Sequence, residues 1–254
     1  MTTQTNKLNS LNKIGSIIFF LTLFYVLPLL GKPELILHWQ VVSLAGICTI
    51  LFATQPRLSF SESKQNKRTD RNTIWLIIVV SGLGQIISLI EWAYFYRATP
   101  KIIVTPVTET AGHKLPLPLE WEFPSLFDTS QNSSSFWIML GASLLIAGTL
   151  FRLYSIKILG KYFSASVEIK DKHRIVSTGP FKLLRHPSYT GAYTAMLGSA
   201  IFLHSLTGLV ILGIGMLFVY HLRIKAEEKT LIRHFKEEYL NYARDTWKMF
   251  PYLW

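Results

Sequence analysis

The chain has 254 residues, of which 50% are hydrophobic and only 16% are charged, with one cysteine and a formal net charge of +11. Soluble domains carry about a quarter charged residues, so this composition indicates an integral membrane protein. It excludes a disordered chain, a disulfide-based fold and a Cys/His metal cluster, and no glycine-rich phosphate-binding motif occurs.

Six apolar stretches are candidates for membrane-spanning helices, because about 20 residues are needed to cross about 30 Å of hydrocarbon. In chain order they are Ile14–Leu30, Leu35–Thr54, Thr73–Tyr96, Phe136–Phe151, Tyr189–His204 and Leu206–His221. The fourth stretch ends either at Phe151 or at Leu159. We expect an all-α, polytopic integral membrane protein with about six transmembrane helices and a C-terminal cytoplasmic amphipathic helix.

The basic residues predict the orientation of these helices. With a cytoplasmic N-terminus and six spans, 22 of the 26 Lys and Arg residues lie on the cytoplasmic side. This is a strong positive-inside bias, so both termini are expected in the cytoplasm and the charge indicates contact with anionic lipid, not with nucleic acid. The long polar loop 97–135 falls on the opposite side and contains Asn132-Ser133-Ser134, which is either a glycosylation site or an unused sequon.

Two polar clusters flank the last pair of spans. Arg185-His186-Pro187-Ser188-Tyr189 precedes the hairpin, and Arg223-Ile224-Lys225-Ala226-Glu227-Glu228 follows it. Residues 190–222 leave about 16 residues for each span, or about 24 Å. A hairpin this short must return Arg223 to the face at which the chain left His186, so the two clusters are expected to meet at the cytoplasmic membrane surface.

Glu227 has two interpretations. Its spacing from Ile224 and Leu231 places its carboxylate on the apolar stripe of the predicted tail helix, where an unpaired charge is costly. It therefore either pairs with Arg223 one helical turn away or awaits a cationic ligand. In the other cluster, Pro187 and Arg185 are explained as a helix start and an interface marker.

Three polar residues fall within the predicted spans, namely His38, Gln85 and Glu91. We expect them to pack against neighbouring helices. Glu91 keeps a functional alternative, since an intramembrane carboxylate is rare.

The C-terminal motifs resemble one family. Leu-Gly-x-Tyr-Phe begins at Leu159, and Val-x-x-Gly-x-Phe-x-x-x-Arg-His-Pro-Ser-Tyr-x-Gly begins at Val176. Arg-x-x-x-Glu-Glu begins at Arg223 and is followed by spaced Leu, Phe and Tyr residues and a proline. In this order and spacing, over about residues 152–251, the motifs resemble those of the isoprenylcysteine carboxyl methyltransferases.

The resemblance implies methyl transfer from S-adenosylmethionine to the C-terminal carboxylate of a prenylated cysteine, at the cytoplasmic membrane face. Residues 1–254 would form one membrane domain, with N-terminal transmembrane helices and a non-cytoplasmic loop over 1–151 and a methyltransferase-like region over 152–254. Arg223 would contact the substrate and Glu227 the cofactor, both in catalytic roles. The implied cofactor pocket comprises Glu168, His173, Arg174, Ile175, Val176, Phe181, His186, Pro187, Ser188, Tyr189 and Glu227.

The implied partners are membrane lipid and a prenylated protein C-terminus or a small prenylcysteine-like molecule. In a eukaryotic host, the expected location is the endoplasmic reticulum membrane. A carboxylate acceptor is already ionised at neutral pH, so it needs alignment and no general base.

Two other functions remain open. A methyltransferase of the same fold could act on a phospholipid amine or another small lipophilic substrate. An amine acceptor must lose a proton, so it would favour a nearby base over the positively charged Arg223. A non-catalytic membrane scaffold or transporter would not bind S-adenosylmethionine. A transporter would also need several polar residues near mid-membrane, and apart from Gln85 there are few.

Overall fold

The computed structural model describes residues 14–53, 67–96, 131–164 and 174–252. Most of the described residues are helical, and one isolated parallel β-bridge joins Leu184 and Trp247. In chain order the helices are α1 (Ile14–Leu29), α2 (Trp39–Ala53), α3 (Lys67–Ile90), α4 (Gln131–Leu159), α5 (Pro187–Phe202), α6 (Leu206–Phe235) and α7 (Glu237–Arg244). The expectation of an all-helical membrane protein is therefore confirmed.

Within the described ranges, three helices are long and apolar enough to cross a membrane. These segments are Asn72–Phe95, Ser135–Tyr162 and Leu206–Phe235. Helices α1, α2 and α5 are shorter, and α5 with 16 residues is about 24 Å long. Large apolar side chains such as Phe19 and Ile214 are more than 60% exposed, as expected of lipid-facing positions. The count of six spans remains a prediction.

Several boundaries differ from those expected. Helix α4 begins at Gln131 instead of Phe136, so the Asn132 sequon lies in its first turn, and it ends at Leu159, the later of the two expected ends. Helix α6 does not end at His221 but runs on to Phe235, because no proline or glycine interrupts its C-terminal half, Met216–Phe235. Arg223 and Glu227 therefore lie on the same helix as the last predicted span, and the amphipathic segment is divided at Lys236, whose φ is 49°.

Helices α4 and α5 pack with their backbones in close contact. A Cβ atom added to Gly148 would lie 2.5 Å from the backbone nitrogen of Ala195, and one added to Gly191 would lie 2.6 Å from that of Arg152. Gly141 and Gly198 are equally confined one heptad away. Small residues allow such approach in membranes, where helices associate through van der Waals contact.

Glu91, which directly follows α3, caps the start of α6 with its carboxylate. Ser205 donates its hydroxyl to Glu91 Oε2 at 2.6 Å, and the backbone N–H groups of Leu206 and Thr207 donate to the same carboxylate at 3.2 and 3.1 Å. The carboxylate thus satisfies donors at the start of α6. Packing between helices, as expected for this residue, accounts for Glu91.

The other two intramembrane polar residues also pack between helices. Gln85 accepts a hydrogen bond from the Ser199 hydroxyl at 3.1 Å. The ring of His38 lies 5.1 Å from that of Trp92. Both contacts agree with a structural role.

The α4–α5 contact predicts that Gly148→Ala destabilises the protein by about 1–3 kcal/mol, because the added methyl group meets backbone that cannot move aside. Gly46→Ala is the matched control, since its added Cβ would meet no atom within 4 Å outside its chain neighbours and its own helix backbone, and alanine favours helix. Thermal unfolding in detergent should show a lower Tm for the first variant and an equal or higher one for the second. Equal effects at both positions would contradict the close packing.

Candidate functional site

The Arg-His-Pro cluster lies between a tight turn and the start of α5. The turn Gly179–Lys182 begins at a glycine with φ of 58°, a conformation that other residues adopt only with strain. Pro187 is the first residue of α5, as expected, because its missing N–H is not needed there. Arg185 and His186 therefore immediately precede the helix.

Residues 246–249 form hydrogen bonds with the backbone of this cluster and with the first turn of α5. The backbone N–H of Arg185 donates to the carbonyl of Trp247 at 2.7 Å, and that of His186 to the carbonyl of Lys248 at 2.9 Å. The hydroxyl of Thr190 donates to the carbonyl of Met249 at 2.7 Å. The backbone of the cluster is thus fixed by a segment that follows the last helix.

The Glu227 carboxylate is the centre of the site. Its Oε1 accepts hydrogen bonds from Arg223 Nε at 2.9 Å and from the Tyr189 hydroxyl. Its Oε2 lies 3.5 Å from His186 Nδ1, longer than a normal hydrogen bond, and the side chain is 20% exposed. The two polar clusters therefore meet, as the short hairpin predicted.

His186 lies between two carboxylates. Its Nδ1 faces Glu227 and its Nε2 lies 3.5 Å from Glu228 Oε1, while the side chain is only 7% exposed. Burial lowers the pKa of His186, but the neighbouring Glu227 and Glu228 carboxylates outweigh it and leave the pKa above its usual value. The imidazolium form is favoured between these acids.

Glu228 connects the site to the C-terminal segment. Its Oε1 accepts a hydrogen bond from Arg185 Nε at 2.8 Å, and its Oε2 lies 3.7 Å from Lys248 Nζ. The Arg185 guanidinium also donates to the carbonyl of Ala243 at 2.8 Å and to that of Thr246, at the end of α7. Arg185 is therefore a structural junction as well as the expected interface marker.

Arg223 is almost completely buried, with 1% of its surface exposed. Besides Glu227, it contacts the Tyr189 hydroxyl through Nε at 3.4 Å and donates from Nη1 to Thr73 Oγ1 at 3.1 Å. The helix pair of Arg223 with Glu227 is thus present, but it belongs to a larger buried network. A buried ion pair of this kind is stable only when further hydrogen bonds satisfy it.

The residues implied by the resemblance differ in where they lie. The structure brings together His186, Tyr189, Arg223 and Glu227. Pro187 begins α5, and Ser188 contributes a backbone carbonyl that accepts from Arg152 Nη1 at 2.9 Å.

The remaining implied residues precede this group. Phe181 is buried in the turn, where its carbonyl accepts the Tyr242 hydroxyl at 2.8 Å, and burial raises the pKa of Tyr242 to about 12. Among the described residues, no hydrogen bond or ion pair joins Arg174, Ile175 or Val176 to the cluster. Glu168 and His173 lie outside the described residues.

Sequence reasoning missed four supporting residues: Thr73, Arg152, Tyr242 and Thr246. Thr73, Arg152 and Thr246 are single polar residues with no motif of their own in the sequence. The regular Tyr spacing after Arg223 was a signal for Tyr242, since it indicated a helix face turned towards the site.

Comparison with known proteins supports the resemblance drawn from the motifs. Residues 139–233 match the sequence model of the isoprenylcysteine carboxyl methyltransferase (ICMT) family. A protein-S-isoprenylcysteine O-methyltransferase of Dictyostelium discoideum is 27% identical over 135 residues, which are 52% of this chain and 55% of that protein. One of Saccharomyces cerevisiae is 32% identical over 117 residues, 45% of this chain and 49% of that protein. The chain thus spans about half the length of these curated relatives.

The fold comparison extends over the whole chain. A solved structure of the eukaryotic intramembrane Ras methyltransferase ICMT superposes with a TM-score of 0.53 at 16% identity, covering 100% of this chain and 87% of that one. The similarity therefore includes α1–α3, outside the matched residues 139–233. The chain has the fold of an intramembrane methyltransferase, and its C-terminal region carries the sequence pattern of the isoprenylcysteine carboxyl methyltransferase family.

Proposed function

We propose that the protein methylates the C-terminal carboxylate of a prenylated cysteine, with S-adenosylmethionine as methyl donor, at the cytoplasmic membrane face. The observation that carries the proposal is the buried contact of Arg223 with Glu227, beside His186 and Tyr189. It combines a guanidinium suited to a carboxylate with a carboxylate suited to a cation, inside the region that matches the family.

The residues present fit a cationic cofactor. Glu227 Oε2 has a long contact to His186 and partial exposure, so a positive group can approach that oxygen while Oε1 keeps its bonds to Arg223 and Tyr189. When bound, S-adenosylmethionine supplies an electrophilic methyl group on a sulfonium sulfur, and transfer to a carboxylate oxygen yields an ester and a neutral thioether. Glu227 would hold and orient the cofactor through its carboxylate.

Arg223 is the residue that would hold the acceptor. A guanidinium presents donors in a rigid plane that matches a carboxylate, and burial strengthens each charge-assisted hydrogen bond. It should bind one carboxylate oxygen and leave the other for the methyl group. Because that acceptor is ionised at neutral pH, the chain needs to supply alignment and desolvation only.

The membrane setting supports a lipid-tailed substrate. Arg223 lies on α6, between the apolar first part of that helix and the charged stretch that begins at Lys225. A prenyl tail would lie among the helices and the carboxylate would reach the site at the membrane surface. The positive-inside bias supports cytoplasmic termini, and an endoplasmic reticulum location in a eukaryotic host is part of the proposal.

Glu227→Gln should weaken S-adenosylmethionine binding at least about tenfold, because it removes the charge that pairs with the cofactor. Isothermal titration of the purified protein measures this. Glu238→Gln, an exposed change on α7, is the control and should bind like the wild type. Unchanged affinity in Glu227→Gln would contradict the assignment.

Arg223→Lys should lower kcat/KM for methylation of a farnesylated cysteine about a hundredfold and leave cofactor affinity nearly unchanged. Formation of base-labile methyl ester from labelled cofactor is the readout. Arg233→Lys, an exposed position on the same helix, should keep full activity. If the wild type binds the cofactor and transfers methyl only to a phospholipid amine, the acceptor assignment is wrong.

Cofactor affinity should rise with pH across the titration of His186. The imidazolium competes with the cofactor for Glu227, and the raised pKa of His186 places loss of this competition above about 6.5, its usual value. Titrations from pH 6 to pH 8.5 on the wild type and on His186→Gln test this. A steeper increase is expected for the wild type; identical slopes would contradict the competition.

A further inference from the structure

We propose that Thr73 on α3 is a positioning residue for Arg223, so that a helix outside residues 139–233 sets the geometry of the acceptor site. The inference rests on the proposed function. Arg223 Nη1 donates to Thr73 Oγ1 at 3.1 Å across 150 residues of sequence, and the two residues are 1% and 5% exposed, respectively. The hydrogen bond is therefore made within the protein, away from competing water.

The contact fixes the plane of the guanidinium. Glu227 Oε1 binds Nε on one edge of the group, and Thr73 binds Nη1. The two partners lie on different helices, so they hold the guanidinium at two points. Contacts at two atoms fix the orientation of the guanidinium plane, which the single ion pair within α6 would leave free to rotate. Recognition of a carboxylate by the planar group depends on that orientation.

A hydroxyl is chemically suited to this task. It accepts a hydrogen bond without adding an opposing charge, so it orients the guanidinium while its contribution to the local potential stays small. The carboxylate of Glu227 already faces Arg223. A hydroxyl at position 73 supplies a second anchor that does not compete electrostatically with an incoming carboxylate.

The register of α3 against α6 explains how Thr73 reaches this place. Glu91 caps the start of α6 at Ser205, and Thr73 meets Arg223 at the other end of the same antiparallel pair. Each separation, 73 to 91 and 205 to 223, is 18 residues, or about 27 Å of helix. The cap at one end of the helix pair therefore supports the contact at the other.

Thr73→Val keeps the shape of the side chain and removes the acceptor, so kcat/KM for the prenylcysteine acceptor should fall about tenfold. Cofactor affinity should stay within about twofold, since Glu227, His186 and Tyr189 remain. Thr73→Ser should retain most of the activity. Thr149→Val is the matched control: this buried hydroxyl has no hydrogen-bond partner among the described residues, so kcat/KM should not change. Full activity of Thr73→Val, or failure of Thr73→Ser to retain it, would overturn the inference.

A double-mutant cycle, measured by thermal unfolding, tests this inference independently of the proposed function. Thr73→Val should lower Tm in the wild type and have little further effect in Arg223→Met, because the partner is already gone. Thr73→Ala replaces Thr73→Val if that variant does not fold. Equal shifts in both backgrounds would overturn the inference. Wild-type protein that makes no methyl ester would instead overturn the proposed acceptor, with the cycle still deciding whether Thr73 holds Arg223.

Discussion

The burial of one ion pair is the constraint on which the site depends. Removing Arg223 from water costs several kcal/mol, and its attraction to the partly exposed Glu227 offsets this only if other groups satisfy the remaining donors and acceptors. Tyr189 and Thr73 do so from α5 and α3. The requirement to satisfy one buried pair therefore brings three helices to the same point.

A second set of charges surrounds this pair and is built from a different part of the chain. Arg185 joins the carboxylate of Glu228 to the carbonyls at the end of α7, while Lys248 approaches the same carboxylate. His186 lies between the two acids and belongs to both sets. The site is thus a continuous network. Its Arg223–Glu227 pair contacts α3 and α5, and its Arg185–Glu228 pair contacts the end of α7 and Lys248.

The sequence predicted the features that follow from regular spacing. Apolar length gave the helices, and the short hairpin predicted that His186 and Glu227 would meet, because two spans of 16 residues leave no other return point. Spacing alone could not show that Thr73 reaches Arg223, since a single threonine near a helix start has no pattern and its partner is 150 residues away. The close packing at Gly148 could not be predicted either, because it depends on the position of the α5 backbone and not on any pattern in the sequence of α4.

The attachment of residues 246–249 to the Arg-His-Pro cluster has a consequence for biosynthesis. Thr73 is made early, and α4, α5 and α6 all precede Trp247 in the order of translation. The backbone of Arg185 and His186 cannot find its partners until Trp247 and Lys248 have left the ribosome. The helices therefore emerge before the site is complete, and a nascent chain carries most of the polar residues of the site before the backbone contacts with Trp247 and Lys248 can form.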